Sequence, residues 1–513
     1  MSRSSNSIKN AGTGIGMQII NVLLRFICRT AFVYTLGKEY EYLGIASLYT
    51  NVLTLLSITE LGFSTAITYS LYDPLAKGDQ KLICSLMAFY KKVYRIIGFI
   101  VLGLGLILMP FLPYLMTGVT DKVNIYLYYL LYLAQSVVSY WFFSYKSAIV
   151  IADQKKYVTD IICTFCQIAV CVLQVLALLL FRSFFLYTLL FIVMGIVQNI
   201  FIAWQADKRY PYLKEKAEPL TKDSKKKLFD QVHALFLQKI SVVIGTATDN
   251  LIISSFVSVL AVGLYDNYHM IISSVQKFMH SAFQGLTASI GNLFTTESKE
   301  RSAFIFRSLN LANSYLVCVA SVCFLTLFQP FVTIWIGEEY LLDMVTVFII
   351  VLNFATNFLQ NIVLIYRDAT GLFVVGRYRS AINAGLNLIL SLIFVQFWGM
   401  TGVFLGSIIS RLATNWWFDA WVLHKKGFEH SPLGYYLNCG ICLIIMCFSW
   451  KCTDWICNYI VATDILLLIL KGFLGVLLTS ICYLLLYGGK KETKYLFGYA
   501  KKFYKKMKNK VCH

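Results

Sequence analysis

Arg25 and Arg29 stand four residues apart in NVLLRFICRTAFVYTL, residues 21–36, an otherwise apolar run. An α-helix turns about 100° and climbs ~1.5 Å per residue, so both guanidinium stems leave one face, about 40° and ~6 Å apart. Lys277 and Arg411 fall in the middle of two later apolar runs, while Lys239 lies closer to the cytoplasmic end of another. The acidic counterparts are Glu60 in LSITELGF and Asp249 in TATDNLIISS. A charge near the centre of a bilayer costs ~2.5–3.5 kcal/mol on insertion scales, so such side chains face a bundle interior or an aqueous cavity. Two uses stay open for them. Structural pairing, such as Arg25 with Asp249, would neutralise some. The positive surplus instead suits a cavity that accepts an anion, where Arg meets phosphate oxygens through paired hydrogen bonds. Lys91, Lys92, Arg95 and Lys146 come nearer the cytoplasmic side, where snorkelling and a basic vestibule both fit.

The elements that must hold these charges are membrane helices. The 513 residues are 58% hydrophobic and 14% charged, against about 45–50% and about 25% in soluble domains, and the mean hydropathy is +0.67. Runs of the roughly 20 residues that cross a ~30 Å hydrocarbon core recur along the whole chain. Spans are predicted near 13–37, 42–72, 84–115, 123–151, 157–181 and 184–206, then near 230–257, 260–295, 303–336, 340–366, 377–398 and 401–424, and finally at 434–460 and 463–488. The fold class is therefore an all-α polytopic membrane protein of about fourteen helices, two pseudo-symmetric six-helix bundles plus two more.

The expected organisation is an N-terminal six-helix bundle over 1–206, a cytoplasmic linker over 207–229, a C-terminal six-helix bundle over 230–426, two additional helices over 427–488 and a basic tail over 489–513. The linker, DKRYPYLKEKAEPLTKDSKKKLF, is polar and holds two prolines. LGIASLY at 43–49 and VGLYDNY at 262–268 share a Gly and Tyr spacing at the start of the second helix of each half, as internally duplicated transporters predict. Lys and Arg alternate between loop sets: Lys77, Lys81, Lys155, Lys156, Lys299, Arg301, Arg377, Arg379, Lys425 and Lys426 share one side. Cytoplasmic loops carry that excess, which places both termini in the cytoplasm. The first apolar segment is too long for a cleavable signal peptide and lacks a small-residue cleavage site. The net charge of +19 follows this topology and draws anionic membrane lipids rather than nucleic acid.

Enzyme signatures are missing. GTGIG at 12–16 follows no strand and reads as close helix packing; there is no Walker A and no Asp-x-Asp pair in a loop. Cys163 with Cys166 and Cys439 with Cys442 lie in apolar runs without nearby His, as buried thiols do. No metal site or cofactor is expected.

LGKEYEYLGIASLYTNVLTLLSITELGFSTAI followed by LYDPLAKGD, TDNLIIS before VGLYDNY, and RYRSAINAGLNLILS with GMTGVFLGSIIS resemble the Wzx-type polysaccharide flippases of the multidrug/oligosaccharidyl-lipid/polysaccharide exporter superfamily. The resemblance covers the chain to about residue 430. It implies a non-enzymatic flippase in the bacterial cytoplasmic membrane, carrying an undecaprenyl-diphosphate-linked oligosaccharide repeat unit to the outer leaflet by alternating access, for O-antigen, capsule or exopolysaccharide synthesis. It also implies two facing bundles and a proton- or sodium-coupled cycle, with the polysaccharide polymerase machinery as a partner. The related lipid II flippases keep cations on the first and eighth helices, which match Arg25 and Lys277 by helix and depth. Arg25 is the expected main diphosphate ligand, with Arg29, Lys277 and Arg411; Glu60 and Asp249 are the candidate ion-coupling carboxylates. A multidrug exporter, a polytopic glycan polymerase or ligase, and a non-transporting scaffold remain as rivals.

Overall fold

The computed structural model describes residues 3–36, 41–60, 63–117, 123–215, 217–222, 225–226, 228–229, 232, 247–284, 290, 293–294, 296–370, 372, 375, 378–459, 464–498 and 501. The regular structure in them is helical, and nine helices among the described residues are long and apolar enough to cross a membrane. The chain divides into two compact units, Met1–Asp266 and Asn267–His513.

In the first unit the elements are α1 (Arg3–Leu36), α2 (Glu41–Leu56), α3 (Phe63–Lys77), α4 (Gln80–Leu108), α5 (Ile125–Trp141), α6 (Ser147–Ala152), α7 (Lys156–Phe181) and α8 (Phe184–Arg209), followed by the start of α9 (Val259–Gln284). Short polar caps set their beginnings by accepting backbone N–H groups that have no partner inside the helix. Asp79 takes the Leu82 N–H at 3.0 Å, Asn124 that of Leu127 at 3.1 Å and Ser183 that of Leu186 at 3.3 Å. Gly78, at φ 71°, closes α3 just before the Asp79 cap, in the left-handed conformation glycine adopts without strain. Packing runs α1 on α7, α7 on α8, α8 on α5 and α5 on α4. Gly44 touches the start of α9 closely: a Cβ there would lie 2.0 Å from the Val259 carbonyl oxygen. Gly16 of GTGIG meets open space, so the close packing expected of that motif does not hold at this glycine.

Two spans read as continuous are broken. The 42–72 run divides into α2 and α3 at the 3₁₀ turn Ser57–Glu60. The 123–151 run divides at Phe143, whose φ is 58°, and the 3₁₀ turn Ser144–Lys146 before α6. Such breaks are tolerated at membrane depth only inside protein or beside water, so both mark places where this unit turns away from lipid.

The second unit holds the rest of α9, then α10 (Lys299–Ile336), α11 (Met344–Leu359), α12 (Asn361–Ala369), α13 (Arg379–Arg411), α14 (Trp417–Val422), α15 (Leu433–Cys457) and α16 (Asp464–Tyr487). α10 is its axis, packed against α11, α15 and α16. The helices of the 427–488 segment therefore lie directly on it. Small polar groups make these contacts, as they do between membrane helices generally: Asn438 donates to Ser314 Oγ at 2.9 Å and Asn313 to the Phe358 carbonyl at 2.9 Å. Within α13, Gly399 (φ 54°, ψ −135°) reverses the chain. Its arms lie side by side, Asn387 donating to Ser407 Oγ at 2.7 Å and Ser391 to the Val403 carbonyl at 3.2 Å, which separates the spans predicted at 377–398 and 401–424.

Candidate functional site

α1 presents two unlike faces. Ile20, Leu23, Ile27 and Tyr34 are exposed along one stripe, while Phe32 and Leu36 are buried on the other side. Arg25 is exposed, yet at 100° per residue it lies about 160° around the helix from both Leu23 and Ile27. In a bilayer the apolar stripe takes the lipid, and Arg25 points away from it. The membrane-length part of α1 is Gly16–Leu36; Arg25 enters it by nine residues, ~14 Å, close to half of a ~30 Å core. Among the described residues no carboxylate pairs with Arg25.

Arg29, one turn on, forms an ion pair with Asp266. Asp266 comes from VGLYDNY, so the carboxylate that reaches α1 lies within the sequence repeat itself. The next turn of α1 is walled by rings: Phe32 meets Phe184 edge-on at 5.7 Å and Tyr187 at 5.4 Å. Lys277 is exposed on α9.

Glu60 sits at the α2–α3 break and accepts a hydrogen bond from the Tyr94 hydroxyl. Around it Tyr94 packs edge-on against Tyr90 at 4.3 Å and Tyr140 at 5.7 Å, and Tyr90 against Tyr145 at 6.5 Å. Asp249 lies in a helical run over 247–256. Lys239 and Arg377 lie outside the described residues. Lys146 is not a free vestibule cation, because both oxygens of Asp207 accept from its ammonium at 2.6 Å. Asp153 likewise takes Lys155 at 2.6 Å and the Tyr210 hydroxyl at 2.7 Å, beside a cavity of about 880 Å³ lined by Tyr72, Asp73, Lys155 and Arg209.

In the second unit Arg411 ends α13 and is held by α11: its Nη1 donates to the Asn353 carbonyl at 3.2 Å, the Asn353 side-chain oxygen at 3.0 Å and Thr356 Oγ1 at 3.1 Å. These oxygens fix the position of the guanidinium. Close by is a cluster that charge counting missed. The Asp419 carboxylate, 1% exposed, accepts from Arg367 at 2.9 Å and from Arg379, while Gln360 donates to it at 2.8 Å. Arg379 also donates to Asn415 at 2.7 Å. Read from sequence as a topological loop charge, Arg379 also ties the start of α13 to α14.

Known proteins can be set beside this geometry. The profile of a family described as polysaccharide biosynthesis protein matches residues 7–287, more than half of the chain. No curated protein matches. Among solved structures, the lipid II flippase MurJ in an inward closed conformation is similar with a TM-score of 0.65 at 14% identity, over 93% of this chain and 98% of that one. A multidrug resistance MATE family transporter of the MOP superfamily gives 0.60 in its inward-facing form, at 14% identity over 84% of this chain and 98% of the other. An outward-facing form gives 0.54 at 14% identity, over 86% and 97%. Those identities carry the fold alone; with the profile match, they place the chain in the polysaccharide biosynthesis protein family, with the fold of the MOP superfamily.

Proposed function

We propose that the protein is a flippase carrying an undecaprenyl-diphosphate-linked oligosaccharide from the cytoplasmic to the outer leaflet of a bacterial membrane by alternating access, in the synthesis of a surface polysaccharide. The observation that carries this is Arg25: a fixed cation near mid-membrane, turned from the lipid-facing stripe of its own helix. A diphosphate cannot cross hydrocarbon unaided. Arg25 would replace its water through charge-assisted hydrogen bonds, helped by Lys277 and Arg411, while the polyprenyl tail stays in lipid.

Arg29 would act by exchange. With Asp266 on its Nη2, a phosphoryl oxygen competes with that carboxylate for the Arg29 charge, and return of Asp266 to full contact helps release the headgroup. A switch needs such a difference in affinity between states. Glu60 and Asp249 are the proposed points at which a proton or sodium ion biases the cycle. The shared fold with a lipid II flippase supports the reading. A drug exporter of the same fold should favour acidic residues for cationic drugs, and the residues described above carry a positive surplus.

The test is transport of a lipid-linked glycan into reconstituted vesicles. Arg25→Ala should abolish flipping and Arg25→Lys should retain a fraction of it; normal flipping by Arg25→Ala overturns the assignment. Unchanged covalent structure of the glycan after transport separates a flippase from a polymerase or ligase.

A further inference from the structure

A second polar hollow, which Arg411 does not line, lies within the second unit. It has a volume of about 300 Å³ and opens where the start of α10, the π-helical segment Leu423–Phe428, the start of α15 and the end of α16 meet. Lys425, Lys426, Lys490 and Lys491 gather at this end, which the positive-inside rule assigns to the cytoplasmic leaflet.

Its chemistry is graded. At the mouth are Arg307 and Lys490. Arg307 gives its Nε–H to Glu492 at 3.0 Å, which leaves the other four N–H donors of its fork for another acceptor. Lys490 rests its ammonium over the Tyr487 ring at 4.5 Å and has no carboxylate partner among the described residues. With Glu492 counted against these two cations, one positive charge remains.

Further in, the groups are acceptors. Asn310 is 4% exposed, and among the described residues no donor reaches its Oδ1. His424, 6% exposed, gives Nδ1 to the Ala420 carbonyl at 2.7 Å, which leaves Nε2 of a neutral ring as an acceptor. Buried acceptors without donors cost free energy until a donor arrives. Phe306, Phe428 and Tyr435 form the walls. Beside the opening, Leu433 and Leu437 on α15 and Leu484 and Leu485 on α16 are exposed, a surface for acyl chains one turn from the hollow.

We propose that this hollow binds the headgroup of an anionic phospholipid with a hydroxylated end, of the phosphatidylglycerol type. The phosphodiester meets Arg307 and Lys490, the glycerol hydroxyls donate to Asn310 and His424, and the acyl chains lie on the leucines. Basic pockets between membrane helices at the cytoplasmic face bind lipid headgroups in this way. The bound lipid would tie α15 and α16 to α10.

The full-length protein, purified in a neutral detergent, is titrated with phosphatidylglycerol, phosphatidic acid, phosphatidylethanolamine, phosphatidylcholine and soluble glycerol phosphate, with thermal midpoint and native mass spectrometry as readouts. Phosphatidylglycerol should raise the midpoint and be retained where the others are not. Arg307→Gln with Lys490→Gln should weaken it about tenfold or more, the effect of losing charge-assisted contacts, and Asn310→Val should remove its advantage over phosphatidic acid. Equal stabilisation by phosphatidylethanolamine, or by glycerol phosphate alone, overturns the proposal. Because the variants can fail to fold, a photoactivatable phosphatidylglycerol is also applied to the unaltered protein. Labels on α10, α15 and α16 at the hollow support the site, and labels only elsewhere refute it.

Discussion

The Arg29–Asp266 pair allows the sharpest test of the packing described for the first unit. At about 3 Å and an effective dielectric of about 20, two unit charges attract by ~5–6 kcal/mol. Most of that is offset by taking both from water, which costs several kcal/mol per ion. Losing one partner is the larger effect: a stranded, fully buried charge costs about 3–5 kcal/mol. Here the side chains are 15% and 24% exposed, so water reaches both, and the expected cost is about 2–3 kcal/mol for either Arg29→Gln or Asp266→Asn. The double variant strands nothing. Its cost should fall short of the sum by about 1.5–2.5 kcal/mol, a factor of roughly ten to sixty in the unfolding constant. The assay is equilibrium unfolding of the four proteins in mixed micelles. Additivity to within about 0.3–0.5 kcal/mol would refute the coupling. In the same set, Asp266→Asn should hold a lipid diphosphate more tightly than the unaltered protein, because the competing carboxylate is gone; weaker retention would refute the exchange role given to Arg29.

Asp419→Ala should destabilise the second unit by about 2–4 kcal/mol by leaving the nearly buried Arg379 guanidinium without its carboxylate and Arg367 with Asp368 alone, read as a lower unfolding midpoint; an unchanged midpoint would show that Arg379 finds another partner. Gly399→Ala puts a Cβ on a backbone at φ 54°, ψ −135° and should cost about 1–3 kcal/mol, checked by the same unfolding measurement. Glu60→Gln keeps an acceptor for Tyr94 but removes the charge, so flipping should stop responding to imposed proton and sodium gradients while the protein stays folded; an unaltered response to both would exclude Glu60 from coupling.

Helix content and most spans were legible because an apolar run of membrane length admits few other structures in lipid. The breaks were not. Hydropathy over 42–72 averages across Ser57–Glu60, and nothing in the window says that a 3₁₀ turn will be sheltered by Tyr90, Tyr94 and Tyr140. The reversal at Gly399 was readable, since GMTG interrupts two apolar runs. Arg25 was found because its type and depth were enough. Asp266 was missed inside a motif read only for Gly and Tyr: a carboxylate in an apolar helix reveals its meaning through its partner, 237 residues away. The pairing of Arg379, read only for topology, was missed for the same reason, as its carboxylate lies 40 positions later. The division between Asp266 and Asn267 falls inside one continuous helix, with no change of composition to mark it.

The turn at Gly399 bears on how the chain is made. With no connecting loop, the arms of α13 cannot wait for one another in the bilayer during synthesis. Asn387 and Ser407 would each enter hydrocarbon as a lone polar group if the arms were inserted in succession, whereas delivered together they are already bonded. Entering lipid as one piece spares the hairpin that cost, so loss of the Asn387–Ser407 bond should weaken membrane insertion of these arms as well as the folded chain.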